Sequence, residues 1–501
     1  MLRQSHTEYS GYRTTGVRLT EPTLPDIVSH SSEADLPLLS GAHMFDKAHL
    51  IMLAEEDLIP RREAVAMLKA LREMEAEGME KVRLEVDGGI HSGEQYLIRG
   101  LGEEVGGRIH LGRSSGDLGA VSRRIRQREN LIELMDRINE ARLVLLQAGE
   151  ENLDAVMPGH THTQHAQPLT LGFHFLSWAS VLERDYQRAD STYQRVNQSP
   201  AGSAILTGSN FALNRHRTAD LLGFDGVIEN THDAILNLDV ALDSMVAAAM
   251  VGLNLARWAS DLNFWFTSEA RYIDIPDRFC GTSSIMMQKK NPYALEHLRA
   301  SAAECMGSLM TGFAVLKAGS GEVNTDRQYL YEALWRSFDL SLRNLRWFAQ
   351  LIPGVEPKRD HMKEMAGAYW AQATDVAGAL VSERDMPWRT AHQIVGILVR
   401  LSYERGIKPS EVTPELVDEA AMAYNGQPVG MSATVLQKAL DPVEFVNGRT
   451  LFGGPAPEEC LRRLVDFRAR LREGQASVQE KQRRLEEAAA SMEHAIDALL
   501  K

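Results

Sequence analysis

At 501 residues, 44% of them hydrophobic and 24% charged, the chain has ordinary globular composition and room for two or three packed regions. Its 54 basic and 68 acidic residues leave a net charge of −14 with histidine neutral, spread along the sequence, which excludes nucleic acid as the main partner. Three cysteines, Cys280, Cys305 and Cys460, lie far apart with no CxxC pair and exclude a disulfide framework or a cysteine zinc site.

The chain starts Met-Leu-Arg-Gln-Ser-His-Thr-Glu, with no apolar run behind the positive charge, so the expected location is the cytoplasm. Proline is absent from Arg61 to Met157, from Ala201 to Ile275 and from Tyr293 to Ile352, and such gaps favour long helices. The best candidate strand is short, Val82 to Val86. From Leu131 the apolar positions Leu134, Met135, Ile138, Ala141, Leu145 and Ala148 recur every three or four residues and predict an amphipathic helix. A second run, from Leu238 through Met245, Ala249, Leu253 and Trp258 to Trp265, is apolar over more than one stripe and must be covered on every side, which packing between subunits would do. Its uncharged window, Ser244 to Ala256, is much shorter than the roughly 20 residues a bilayer needs, so no membrane span is expected. Glycine-rich breaks at Gly100 to Gly116, Gly159, Ala201 to Gly208, Gly281 and Gly319 to Gly321 separate the helices, and such loops are where chemistry sits. The stretch from Arg468 to Lys501 reads as an exposed terminal helix. The expectation is an all-α chain in three parts: an N-terminal helical domain over 1–112, a central long-helix bundle over 113–365 and a C-terminal helical domain over 366–501.

Gly281-Thr-Ser283-Ser284-Ile-Met-Met287-Gln-Lys289-Lys-Asn291-Pro292, followed by Tyr-Ala-Leu-Glu296-His-Leu-Arg299, resembles the GSSxMPxKxNP signature of the fumarase/aspartase superfamily. The Gln-Lys-Lys-Asn-Pro continuation is most similar to argininosuccinate lyase. His110-Leu-Gly-Arg-Ser114-Ser-Gly-Asp117 resembles that family's HTGRSRND loop, and Met157-Pro-Gly-His-Thr161-His162-Thr-Gln-His165-Ala-Gln-Pro168 resembles its MPGYTHLQRAQP loop. Weaker similarity covers Ile90 to Ser92, Ala373 to Asp375 and Asn447 to Pro455. The resemblance implies a long-helix bundle and a homotetramer whose active sites each draw these three blocks from three subunits.

Cleaving a succinyl–amine bond needs a base for the proton beside a carboxylate, groups to hold the resulting dianion, and a proton for the leaving nitrogen. The resemblance makes Ser283 the base, its oxyanion stabilised by Lys289 and by amides of the following helix. Lys289 and Asn291 suit a substrate carboxylate, as a point cation and an amide donor. His162 can act near neutral pH, and Glu296 pairs with it across a subunit boundary in the family arrangement. Ser114, Thr161, Ser284 and Gln328 carry over as substrate-binding groups. No metal or organic cofactor is implied.

The chain departs from the family at Ser115 and Gly116, where the family loop carries Arg-Asn, and at Val323 and Tyr331, where ungapped matching expects a tyrosine and a lysine. Met287 replaces the signature proline. The half of the site that handles fumarate is thus kept and the half facing the amine is altered, which points to a non-arginine amine released from an N-substituted aspartate. Argininosuccinate lyase itself and a non-catalytic, crystallin-like structural protein are the alternatives.

Overall fold

The computed structural model describes residues 32–318 and 322–501 together with Leu24 and Ile27. The reading of Met1 to Glu8 and the break at Gly319 to Gly321 lie outside the described residues. Helices dominate. The N-terminal part holds α1 (Leu39–Glu55), α2 (Arg61–Glu77), α3 (Met79–Val86), α4 (Ser92–Leu101) and α5 (Glu103–Gly106). The bundle is built from α6 (Ser115–Glu151), α7 (Leu171–Val196), α10 (Asp239–Phe266), α11 (Tyr293–Ala318) and α12 (Asp326–Leu351), with the short α8 (Arg215–Leu221) and α9 (Thr231–Leu236) between α7 and α10. Beyond it come α13 (Arg359–Ala366), α14 (Ala373–Arg384), α15 (Trp388–Arg405), α16 (Pro414–Asn425), α17 (Ala433–Leu440), α18 (Pro442–Asn447) and α19 (Pro457–Leu500). Six short 3-10 helices and three two-stranded ribbons accompany them among the described residues, the ribbons being β1 (Val156–Thr161) with β2 (Gln164–Thr170), β3 (Ile273–Asp274) with β6 (Glu356–Pro357), and β4 (Gly281–Thr282) with β5 (Lys290–Asn291).

The amphipathic run from Leu131 is the middle of α6, and all six periodic positions named for it are buried. Ser114 starts that helix. Its Oγ accepts the N–H of Gly116 at 3.0 Å while Asp117 Oδ1 accepts the N–H of Ser114 at 2.9 Å, a reciprocal cap that satisfies orphan donors of the first turn.

The structure corrects one sequence reading. Val82 to Val86 is helical, in α3: Val82 and Val86, four residues apart, are buried on one helical face. The apolar run of α10 extends over 28 residues, long enough to cross a bilayer, but 61% of its most apolar window is buried inside its own subunit. It packs on α7, α11 and α12, where Trp258 and Trp265 stack on Trp178 with ring centres 5.3 and 5.8 Å apart. The helix that keeps an apolar face in solvent is α11, through Met306, Met310 and Phe313. As expected, the stretch from Arg468 is a terminal helix, the end of α19, and many of its residues are exposed. Leu471 and Val478 pack into the bundle core, and Met492, Ala495 and Ile496 close the N-terminal core beside Phe45 and Leu221.

Candidate active site

Antiparallel pairing of Gly281 with Asn291 and Thr282 with Lys290 closes a ribbon that projects Ser283–Lys289 as a loop. Gly281 is required there, because a Cβ would lie 2.3 Å from the ring of Tyr293 at the start of α11. Lys290 fastens the base of the ribbon to Asp274 at 3.0 Å and Asp277 at 2.8 Å. On the loop, Ser283 Oγ accepts the N–H groups of Met286 at 3.0 Å and Ile285 at 3.3 Å. Both of these amides belong to the loop itself, ahead of α11. Ser284, Met287, Lys289 and Glu296 are exposed, Asn291 is half-buried, and Gln328 is exposed in the first turn of α12. Among the described residues the Lys289 side chain makes no hydrogen bond or ion pair.

The second block forms the β1–β2 hairpin. Thr161 pairs with Gln164, so His162 and Thr163 are the two central turn residues, and both are left-handed, with φ of +53° and +58°. That is the geometry a two-residue hairpin turn demands, and it favours Asn-Gly; a β-branched threonine there costs on the order of 1–2 kcal/mol. The strained turn holds His162 at an exposed tip. Behind it, His160 and His165 pair across the strands with ring centres 5.0 Å apart, and His165 also meets Tyr369 at 4.8 Å. Burial pushes the basicity of both imidazoles down.

The first block lies at the other end of α6. Arg113 donates to Asp46 at 2.6 Å, and the same carboxylate accepts from Arg83, all three groups being buried. Burial alone would raise Asp46, but Arg113 and Arg83 outweigh it and hold the carboxyl below its usual range. His110 and His91 both approach Glu94 Oε2, at 2.9 and 3.3 Å. Asp117, beyond its capping role, accepts the N–H of Ala204 at 3.2 Å and so fastens loop Ser203–Gly208 over the helix start. The sequence held a signal for Asp117, since Ser-x-x-Asp is a capping pattern. For Ala204 and Ile205 it held none.

The distances within one subunit are decisive. A 37-residue helix is about 55 Å long. Ser114 caps one end of it, and the His162 hairpin begins five residues past the other. A six-residue strand folds back at most about 20 Å, so Ser114 and His162 of one chain cannot face the same substrate. The hairpin and the signature loop do share one end of the bundle: Tyr272, next to β3, places its hydroxyl 3.5 Å from His165 Nε2. Among the described residues no hydrogen bond, ion pair or ring contact joins any two of the three blocks, and His162 is not paired with Glu296 within the subunit.

The long-helix bundle and its loops are those of a member of the fumarase/aspartase superfamily. A model of the "Lyase" family matches residues 20–307, and one of "Argininosuccinate lyase C-terminal" matches residues 370–447. The argininosuccinate lyase of Methanocaldococcus jannaschii is 36% identical over 468 residues, covering 93% of this chain and 95% of its own, and that of Methanothermobacter thermautotrophicus is 37% identical over 86% and 90%. An EDDS lyase variant with bound fumarate superposes with a TM-score of 0.87 at 28% identity, covering 93% of this chain and 92% of that one. The chain belongs to the argininosuccinate lyase family, and it is a fumarate-forming carbon–nitrogen lyase.

Proposed function

We propose that the chain cleaves a succinyl–amine reversibly to fumarate and an amine in the cytoplasm, as a homotetramer. Argininosuccinate is the substrate that the names of its relatives favour. Ser283 is the base, and the observation that carries this role is the pair of loop amides aimed at its Oγ, which lower the cost of its oxyanion. Lys289 and Asn291 hold the carboxylate that becomes a dianion, with Ser284, Thr161, Ser114 and Gln328 as further donors. His162, oriented by Glu296 of another copy, attends the leaving nitrogen. The tetramer is supported by the separation of Ser114 from His162 and by the apolar face of α11, and the parts of the chain act as the domains 1–112, 113–365 and 366–501.

A second reading, a non-arginine amine, is favoured by one specific place. At Gly116, where the family loop carries asparagine, a Cβ would lie 2.7 Å from Ile205 Cδ1 and 2.9 Å from the carbonyl oxygen of Ala204. The space for that side chain is filled. The test offers the purified protein argininosuccinate, and separately fumarate with arginine or other amines, while fumarate absorbance is followed and adducts are identified by mass. Arginine release supports the first reading. Fumarate consumption only with another amine supports the second.

A further inference from the structure

Loop Ser203–Gly208 lies over the first turn of α6. Its attachment is specific: Asp117 Oδ2 accepts the Ala204 N–H, Arg215 donates to Ser203 Oγ at 3.1 Å and to the carbonyl of Ala201 at 2.8 Å, and Gly208 N–H returns to the Ser203 carbonyl at 3.0 Å. Ala204 sits in the left-handed region with φ +49°, a strained conformation for a residue with a Cβ. Strain of this kind persists only where the surroundings impose it. Here the anchored loop turns Ile205 toward α6, where its Cδ1 occupies the volume a side chain at position 116 would fill. Ile205 nevertheless remains 45% exposed, a large apolar group held in the open beside Ser114 and Ser115. The missing side chain at 116 and the isoleucine over it are complementary in shape, across 89 residues of sequence.

We propose that Ile205 is a specificity-determining residue that walls the amine half of the substrate site, selecting amines that present a compact or apolar group, and not a charged head, to the start of α6. The inference rests on the lyase reading above and deepens its second form. Replacing a polar, hydrogen-bonding wall by a branched alkyl group penalises substrates whose charged groups would lose their partners, while groups of matching size keep their contact. The fumarate half, held by Ser283, Lys289 and Asn291 on another loop, is untouched by it.

The experiment compares the full-length wild type with Ile205→Ala, using fumarate with arginine, ethylenediamine, methylamine and benzylamine as probes. The wild type is expected to favour the compact or apolar amines over arginine. In Ile205→Ala the ratio of kcat/KM for arginine to that for methylamine should rise about tenfold or more, with KM for fumarate within about twofold of wild type. An unchanged ratio, a proportional loss with every amine, or an effect confined to fumarate would overturn the assignment. Absence of turnover by the wild type with every amine would overturn the lyase reading instead, so the two failures are distinguishable. Ile205→Val, which keeps the branched wall, guards against a folding defect and should retain the wild-type order of amines.

Discussion

Asp46→Asn is the substitution whose consequence the structure sets most sharply. Asp46 is 1% exposed and neutralises two buried guanidiniums, Arg83 at 2.5 Å and Arg113 at 2.6 Å. Arg83 keeps only Ser92 Oγ and His43 Nδ1, each at 3.3 Å, once the charge is gone. Removing one partner of a buried ion pair costs about 3–5 kcal/mol, because the other charge stays desolvated. A 501-residue chain is too large for two-state unfolding to be assumed, so the loss is read locally, by amide hydrogen exchange in α3 and α4. Exchange there should accelerate by roughly two to four powers of ten, at about 1.4 kcal/mol per tenfold, while α15 and α16 are unaffected. Arg113 immediately precedes Ser114, so turnover should fall as well. Exchange within about threefold of wild type would refute the view that this carboxylate holds the N-terminal core to the loop. Gly93→Ala offers the same test from the other side, since its Cβ would lie 2.2 Å from Asp46 Oδ2 and 2.5 Å from Arg83 Nη2.

Half-buried His174, packed against Trp265 with ring centres 4.9 Å apart, is pushed down to about 4 by desolvation, then by the neighbouring His160. Because the unfolded chain takes up this proton near pH 6.5 and the folded one only near 4, stability is lost as pH falls through that window, by about 3 kcal/mol. His174→Phe should flatten the pH dependence of amide protection in α7 between pH 6.5 and 4; an unaltered slope would show that His174 is not the group responsible. Gly281→Ala drives a Cβ into the Tyr293 ring and displaces the ribbon carrying Ser283, so kcat should drop at least about tenfold with KM little changed. Tyr293→Ala in the same chain should restore part of the rate, and no restoration would argue against the steric cause.

The long helices were legible because their apolar spacing is local: Leu134 to Ala148 needs only the pitch of a helix to share a face. What covers such a face was not legible. The run from Leu238 to Trp265 called for a cover, and its own subunit supplies most of it, whereas α11, with alanine, glycine and threonine diluting its pattern, leaves Met306, Met310 and Phe313 outside. Val82 to Val86 misled because five residues cannot separate a period of 2 from one of 3.6 when polar residues happen to alternate. The motif residues of the three blocks were readable from their resemblance to a family. Two features were not: the amides of Ile285 and Met286 turning back to Ser283, and Ile205 filling the space above Gly116. Both depend on how a loop folds in three dimensions, and the second joins parts of the chain that no local pattern connects.

Lyase chemistry at Ser283 is tested by following fumarate, by absorbance and by mass, in the wild type and in Ser283→Ala. Wild type should form fumarate from a succinyl–amine, or consume it with an amine, and the variant should keep its fold and oligomeric state while losing at least about 1,000-fold in kcat. Equal rates in the two proteins, or no turnover by a folded wild type with argininosuccinate and with every amine tested, would contradict it.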